Sequence, residues 1–150
     1  MAEYTIKRFE LKSNQTDFPK IKISHSEGAA KFIKQFYSDD IEIFESFFIL
    51  LLNQANDTVG YAKISQGGIA GTTVDPAIVA KYAVESLAKG VILAHNHPSG
   101  NKQPSTQDIE ITKRIRDGLK LFDITVLDHI IVTTESYTSL SDEGYIYKLF

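Results

Sequence analysis

Residues 44–52 read FESFFILLL, and the six from Phe47 to Leu52 are aliphatic or aromatic without interruption. A membrane span needs about 18 apolar residues, so this run is far too short to be one. It also lacks the alternation of a strand with one wet face. It suits a strand buried on both sides, and such a strand needs other elements layered over each face of its sheet. Val91 to His95 reads as a second buried strand. Helical patterns surround these strands. Ser26 can cap a helix running to about Tyr37, with Ala29, Ala30, Phe32, Ile33 and Phe36 as its apolar face. Asp75-Pro76 pairs an N-cap residue with a proline at the first helical position, opening a helix that runs to about Lys89 and stops at Gly90. A third helix is expected from about Ser105 to Leu121.

The remaining strand signals are weaker. Asn56-Asp57 is a turn, and Val59 to Ser65 can return beside the first apolar run as a hairpin before Gly67-Gly68 breaks it. Ile124 to Thr133 reads as one or two strands. Tyr4, Ile6 and Phe9 hint at a short strand near the start, KIKIS at 20–24 at another, and the pattern from Glu135 to Phe150 is poorly determined. Strands and helices thus intermix, which predicts a three-layer α/β or α+β arrangement with a mixed sheet. A length of 150 residues fits one domain, and 43% hydrophobic residues are enough to give it a core.

A net charge near −3 argues against general affinity for nucleic acid. MAEYTIKRFE has no apolar core of a signal peptide, so a soluble, cytoplasmic chain with no membrane partner is expected. The absence of cysteine excludes disulfides and every zinc site built on thiolates. Any metal must therefore be held by nitrogen and oxygen donors.

Residues 94–108, AHNHPSGNKQPSTQD, hold such donors. On an extended chain, His95 and His97 project to the same face, where two imidazoles can chelate one ion, while Asn96 points the other way. Pro98, Ser99 and Gly100 then turn the chain, and Asn96 or Ser99 can orient that turn. Asp108 is the natural third ligand, since a catalytic zinc takes three protein ligands and keeps one position for water. Ser105 and Asp108 also read as a capping box that simply starts a helix, and the two roles are compatible. A general base is needed as well, and Glu42, Glu45, Glu85 and Glu110 are the candidates. Glu45 stands out because a carboxylate entering an apolar strand is costly without a partner. Glu85 lies within a helix and reads as surface. Asp128-His129 reads as a hydrogen-bonded pair at a strand start, with a supporting role behind a metal ligand as the alternative. His25 has no informative context. Lys113, Arg114, Arg116 and Lys120 form a basic cluster on the third helix, a solvated face more readily than a phosphate site, because Asp108, Glu110 and Asp117 interrupt it.

The string His95-x-His97-Pro98, six residues, Ser105, two residues, Asp108 resembles the JAMM signature of MPN-type metalloproteases. HNHPSG at 95–100, PSTQD, LDHIIV at 127–132 and Glu45-x-Phe47 are similar to the bacterial RadC family, and the likeness covers roughly residues 26–145. The resemblance implies a three-layer α/β/α sandwich with a mixed sheet, related to deaminase-like folds. It implies zinc on His95, His97 and Asp108, Glu45 as general base, and Ser105 assisting at the oxyanion. It also implies a zinc-dependent hydrolase of an amide, peptide or isopeptide bond, with an unidentified peptide or protein substrate. Longer members carry an upstream helix-hairpin-helix-like segment, for which the first 25 residues are too few. These are expected to be a short extension ahead of a domain at 26–150. The family name suggests DNA repair, so a nucleic-acid-binding repair or recombination accessory is one alternative, and a metal-stabilised interaction module without turnover is another. Salt-dependent DNA binding would mark the former, and loss of folding in chelator without hydrolysis the latter. The oligomeric state is left open by the sequence.

Overall fold

The computed structural model describes residues 4–68 and 71–146. Among these residues the chain forms α1 (Ser26–Lys34), β1 (Glu45–Leu52), β2 (Thr58–Gly67), α2 (Pro76–Glu85), β3 (Gly90–Asn96), α3 (Thr106–Lys120), β4 (Thr125–Val132) and β5 (Tyr137–Ser139), with a short 3₁₀ turn at Asp39–Glu42. The five strands make one sheet in the order β2-β1-β3-β4-β5. β1 runs antiparallel to both β2 and β3, β3 and β4 are parallel, and β5 returns antiparallel to β4. The sheet is therefore mixed, and its one parallel pair is joined by α3, since parallel neighbours need a long crossover.

Alternate residues of the apolar strands feed two separate cores. Phe47, Ile49, Leu51, Val91, Leu93 and Val126 pack with Val79 and Ala83 of α2 and Ile115 and Leu119 of α3. Leu50, Leu52, Ile92, Ala94, Ile130 and Val132 pack with Ala29, Ala30, Phe32 and Ile33 of α1. Layering on both sides is what the unbroken run requires, and the result is an α/β sandwich.

Several local expectations differ from the structure. His25, rather than Ser26, caps α1: its Nδ1 accepts from the Gly28 N–H, and the helix ends at Lys34. α2 has the predicted Asp75 cap and initial proline but stops at Glu85, with Leu87 in a left-handed conformation at φ 58°. Gly90 is then the first residue of β3 instead of a helix stop. No strand forms at Tyr4, Ile6 and Phe9, which lie 102%, 98% and 88% exposed, because alternation alone supplies no neighbour to bond. The 20–24 segment keeps only one bridge, Lys22 with Asp57, although Ile23 is buried against α1. β5 falls in the poorly determined tail, and the last four residues of that tail lie outside the described set.

Candidate metal centre

The site lies at the C-terminal end of β3, beside the N-terminus of α3. His95 is on the β3 face turned toward α2 and α3, and Phe47 pairs with it across the sheet. The two rings lie parallel at 6.0 Å. That antiparallel register also brings Glu45, on the same face of β1 as Phe47, toward the end of β3. His97 leaves the strand with its N–H still bonded to the Val132 carbonyl, 3.1 Å. After the Pro98–Gly100 turn, Ser105 and Asp108 form the capping box. The Ser105 hydroxyl accepts from the Asp108 N–H, and the Asp108 carboxylate accepts from the Ser105 N–H. The box thereby fixes the side chain that faces the histidines, so capping the helix does not take Asp108 out of the site.

The distances are short. His95 Nε2 and His97 Nε2 are 2.9 Å apart. Asp108 places Oδ1 3.2 Å from the first and Oδ2 3.2 Å from the second, and Glu45 Oε1 is 3.9 Å from His95 Nε2. Donor atoms of Glu45, His95 and His97 all lie within 4.8 Å of one another and could hold a metal ion. The His95 side chain is 3% exposed, whereas Glu45, His97 and Asp108 are 14–17% exposed and face a cleft of about 1000 Å³. Ile43, Val74, Ile111 and Arg114 line that cleft farther out.

The donor set passes a chemical test. His97 Nδ1 is 2.6 Å from the Asn101 carbonyl, which can only accept, so Nδ1 carries hydrogen and a neutral ring presents a bare Nε2 to the site. Two imidazole nitrogens converging with a carboxylate, without sulfur, match the ligands of zinc-type ions. Without a metal, His97 and Asp108 face one another directly, Nε2 to Oδ2 at 3.2 Å. The hydrogen bond to Asp108 raises the His97 pKa above its ordinary value against the cost of burial. Burial pushes the Asp108 carboxyl up, but its bonds to His95 and His97 outweigh that and hold it well below the usual carboxylate range.

Glu45 is held from a direction the sequence does not announce. Its Oε2 accepts from the Thr72 N–H at 2.9 Å, which leaves Oε1 toward His95. This depends on a close approach between two stretches of chain. A Cβ on Gly67 would sit 1.7 Å from the Gly71 carbonyl oxygen. Gly71 has φ +104°, and a Cβ there would meet Glu45 Oε2 at 2.9 Å. Asn96, fully buried, ties the other side of Glu45 in place. Its amide nitrogen donates to the carbonyls of Ile41 and Phe44 (2.6 and 2.8 Å), and its oxygen accepts from the Ser46 N–H (2.7 Å). The orienting role expected of Asn96 is thus exerted on the entry to β1.

The other predicted residues separate clearly. Glu42 reaches the cleft rim and accepts from the Thr134 hydroxyl. Glu85 faces Lys81 on the surface of α2, and Glu110 is exposed. Asp128 is a structural tie: it accepts from Ser139 Oγ and from the N–H groups of Ser141 and His129, while burial pushes its carboxyl up. His129, in contrast, stands behind the site, with Nε2 2.7 Å from His95 Nδ1 and Nδ1 2.6 Å from Thr112 Oγ1. In the basic cluster, Arg116 bonds Asp117 and Arg114 lines the cleft. Thr112, Gly71 and Thr72 carry no sequence signal for the roles they take. A threonine four residues after Asp108 on a helix is visible only once the strand behind it is placed.

This site, with one histidine on β3, a second just past the strand's end and the capping aspartate of the following helix, sits on a mixed α/β sandwich, and the chain as a whole matches a known family. The RadC-like JAB domain model covers residues 23–145, and the chain belongs to that family. Among its relatives are UPF0758 proteins of Flavobacterium johnsoniae, 47% identical over 100 residues (67% of this chain, 44% of that protein), and Fusobacterium nucleatum, 36% identical over 138 residues (91% and 59%). A third, from Porphyromonas gingivalis, is 37% identical over 125 residues (83% and 54%). The chain spans about half the length of the curated relatives it matches. Among the described residues, no helix is long and apolar enough to cross a membrane.

Proposed function

We propose that His95, His97 and Asp108 hold a zinc ion and that the chain hydrolyses an amide bond, peptide or isopeptide, with Glu45 as general base. The observation that carries this reading is the difference between the two carboxylates. With ligand bonds of about 2.0–2.1 Å, donors around a tetrahedral zinc sit roughly 3.3 Å apart. His95 Nε2 and His97 Nε2 are 2.9 Å apart, and the Asp108 carboxylate lies 3.2 Å from each, through Oδ1 to His95 and Oδ2 to His97, which brings all three side chains to one point. Glu45 is the more distant carboxylate, 3.9 Å from His95 Nε2, and its other oxygen is engaged by the Thr72 N–H, so this reading assigns it to the water rather than to the ion.

Zinc held there would supply Lewis acidity, lowering the pKa of water toward neutrality and polarising the scissile carbonyl. Glu45 takes the proton of the attacking water at Oε1 and passes it to the leaving amine nitrogen, while the Thr72 N–H holds Oε2 and fixes the carboxylate plane. Ser105 accepts through Oγ from the Asp108 N–H, so its hydroxyl hydrogen is left to donate to the oxyanion. The cleft beyond, with Ile43, Val74 and Ile111 on its walls, suits a stretch of polypeptide.

The test is hydrolysis of a mixed peptide and isopeptide library by zinc-loaded protein, with chelator and Glu45→Gln as controls. The reading expects cleavage that chelator abolishes and that Glu45→Gln lowers by about 10²–10⁴ without loss of bound zinc. Zinc-loaded protein that cleaves nothing in the library, or a Glu45→Gln variant as active as the parent, would overturn it.

A further inference from the structure

Three short contacts run behind the site in series. Thr112 Oγ1 is 2.6 Å from the Asp108 carbonyl, His129 Nδ1 is 2.6 Å from Thr112 Oγ1, and His95 Nδ1 is 2.7 Å from His129 Nε2. Each contact needs one hydrogen between its two heavy atoms, and that requirement fixes the direction of all three. A carbonyl oxygen has no hydrogen to give, so the Thr112 hydroxyl donates to Asp108. With its hydrogen spent there, Thr112 Oγ1 accepts from His129, and the hydrogen of that contact is on Nδ1. A neutral His129 then has only a lone pair at Nε2, so the last hydrogen is on His95 Nδ1. With its Nδ1 hydrogen fixed, a neutral His95 has its lone pair on Nε2, the atom aimed at His97 and Asp108.

We propose that Thr112 and His129 are positioning residues that set the tautomer of His95, so that its Nε2 lone pair is presented to the metal. The relay begins at the backbone of one ligand, Asp108, and ends at the ring of another, His95, so it also links α3 to β3 through β4. Its setting supports the assignment. His129 and Thr112 are both 0% exposed, and Phe47 packs edge-on against the His129 ring at 5.4 Å. Both ring nitrogens of His129 face uncharged groups, Thr112 Oγ1 and His95 Nδ1, so the ring has no anionic partner to hold a second proton. Replacing the hydroxyl reverses the chain. With valine at 112, His129 Nδ1–H has no acceptor there. The ring gains by moving its hydrogen to Nε2 and donating to His95 Nδ1, which places the His95 hydrogen on Nε2, the atom the metal needs.

The inference rests on the zinc-site reading for its purpose but not for its test. The tautomer of His95 in metal-free protein at pH 8 is read from ¹⁵N–¹H long-range imidazole correlations, for the parent, Thr112→Val and Thr112→Ser. Zinc dissociation constants are measured for the same three by chelator competition. The expected result is Nδ1–H in the parent and in Thr112→Ser, and Nε2–H in Thr112→Val. Zinc binding is expected to be 10- to 100-fold weaker in Thr112→Val and restored by serine, as is usual when a partner behind a metal ligand is lost. A parent His95 with no hydrogen on Nδ1 would overturn the relay. So would a Thr112→Val protein that melts earlier yet keeps the parent tautomer and affinity. A parent with the expected tautomer that takes up no zinc would leave the relay standing and remove the zinc-site reading instead.

Discussion

His95 and Asn96 are neighbours in sequence, both buried, and both polar, yet they serve opposite faces of the sheet. His95 joins the α3 side, where His97, Asp108, Glu45 and His129 converge on it. Asn96 points to the α1 side and spends three hydrogen bonds on the backbone at residues 41–46. The α1 face beneath is otherwise an apolar core of Leu50, Leu52, Ile92, Ala94 and Ile130. One face thus gathers the candidate metal-binding groups, and the other holds the strand ends that bring those groups into range. The contrast also shows how buried polar groups are tolerated: Asn96 is satisfied by backbone, and His95 by the side chains of His129, His97 and Asp108.

Substitutions can break this division. Leu50→Ala removes a side chain 1% exposed from the α1 core, and a loss of about 2–5 kcal/mol in denaturant unfolding is expected. Zinc affinity of the folded fraction should be unchanged. A large drop in affinity would show that the two faces are not separable. Asn96→Ala leaves the buried Ser46 N–H and the part-buried Ile41 and Phe44 carbonyls without this partner, for about 1–3 kcal/mol. Because those groups flank Glu45, turnover should fall more than zinc binding does. Equal losses in both would place Asn96 on the metal side of the division.

Acid gives the smallest and most graded effect, and its sign follows from His97. The His97 pKa is raised by Asp108, so protons displace metal at and above the pH at which a free histidine titrates. Zinc affinity should hold on the alkaline side and fall as pH drops through the His97 pKa, roughly tenfold per unit for each proton taken up. Calorimetric titration between pH 5.5 and 8.5 checks this, and an affinity that rises on acidification would contradict it. The sign in metal-free protein is the reverse for this pair. The charged His97–Asp108 contact contributes stability below the unfolded histidine pKa, and that contribution is lost as pH rises through the folded one.

Much of this was legible in the sequence because it is local. The β1 run, the His95/His97 spacing and the Ser105–Asp108 cap each specify their geometry within a few residues. Glu45 was legible through its oddity, a carboxylate entering an apolar strand. What holds Glu45 was not, since the Thr72 N–H comes from 27 positions away across a glycine-permitted crossing. His129 reads in the sequence as a paired strand-start residue, and Thr112 carries no sequence signal. Their roles depend on the β3–β4 pairing, in which Leu93 faces His129 after a register shift at Val91/Ile92 that no periodicity forecasts. The cap of α1 was misplaced by one residue because histidine is a rare N-cap, and its ring does what a Ser or Asp side chain ordinarily would.

Metal content by plasma mass spectrometry, on the parent, His97→Ala and Asp108→Ala, bears most directly on the central claim. The account predicts about one zinc per chain in the parent and little or none in either variant, with all three proteins folded by circular dichroism. Folded parent protein that stays metal-free when zinc is offered, or variants that retain the parent's zinc, would contradict it.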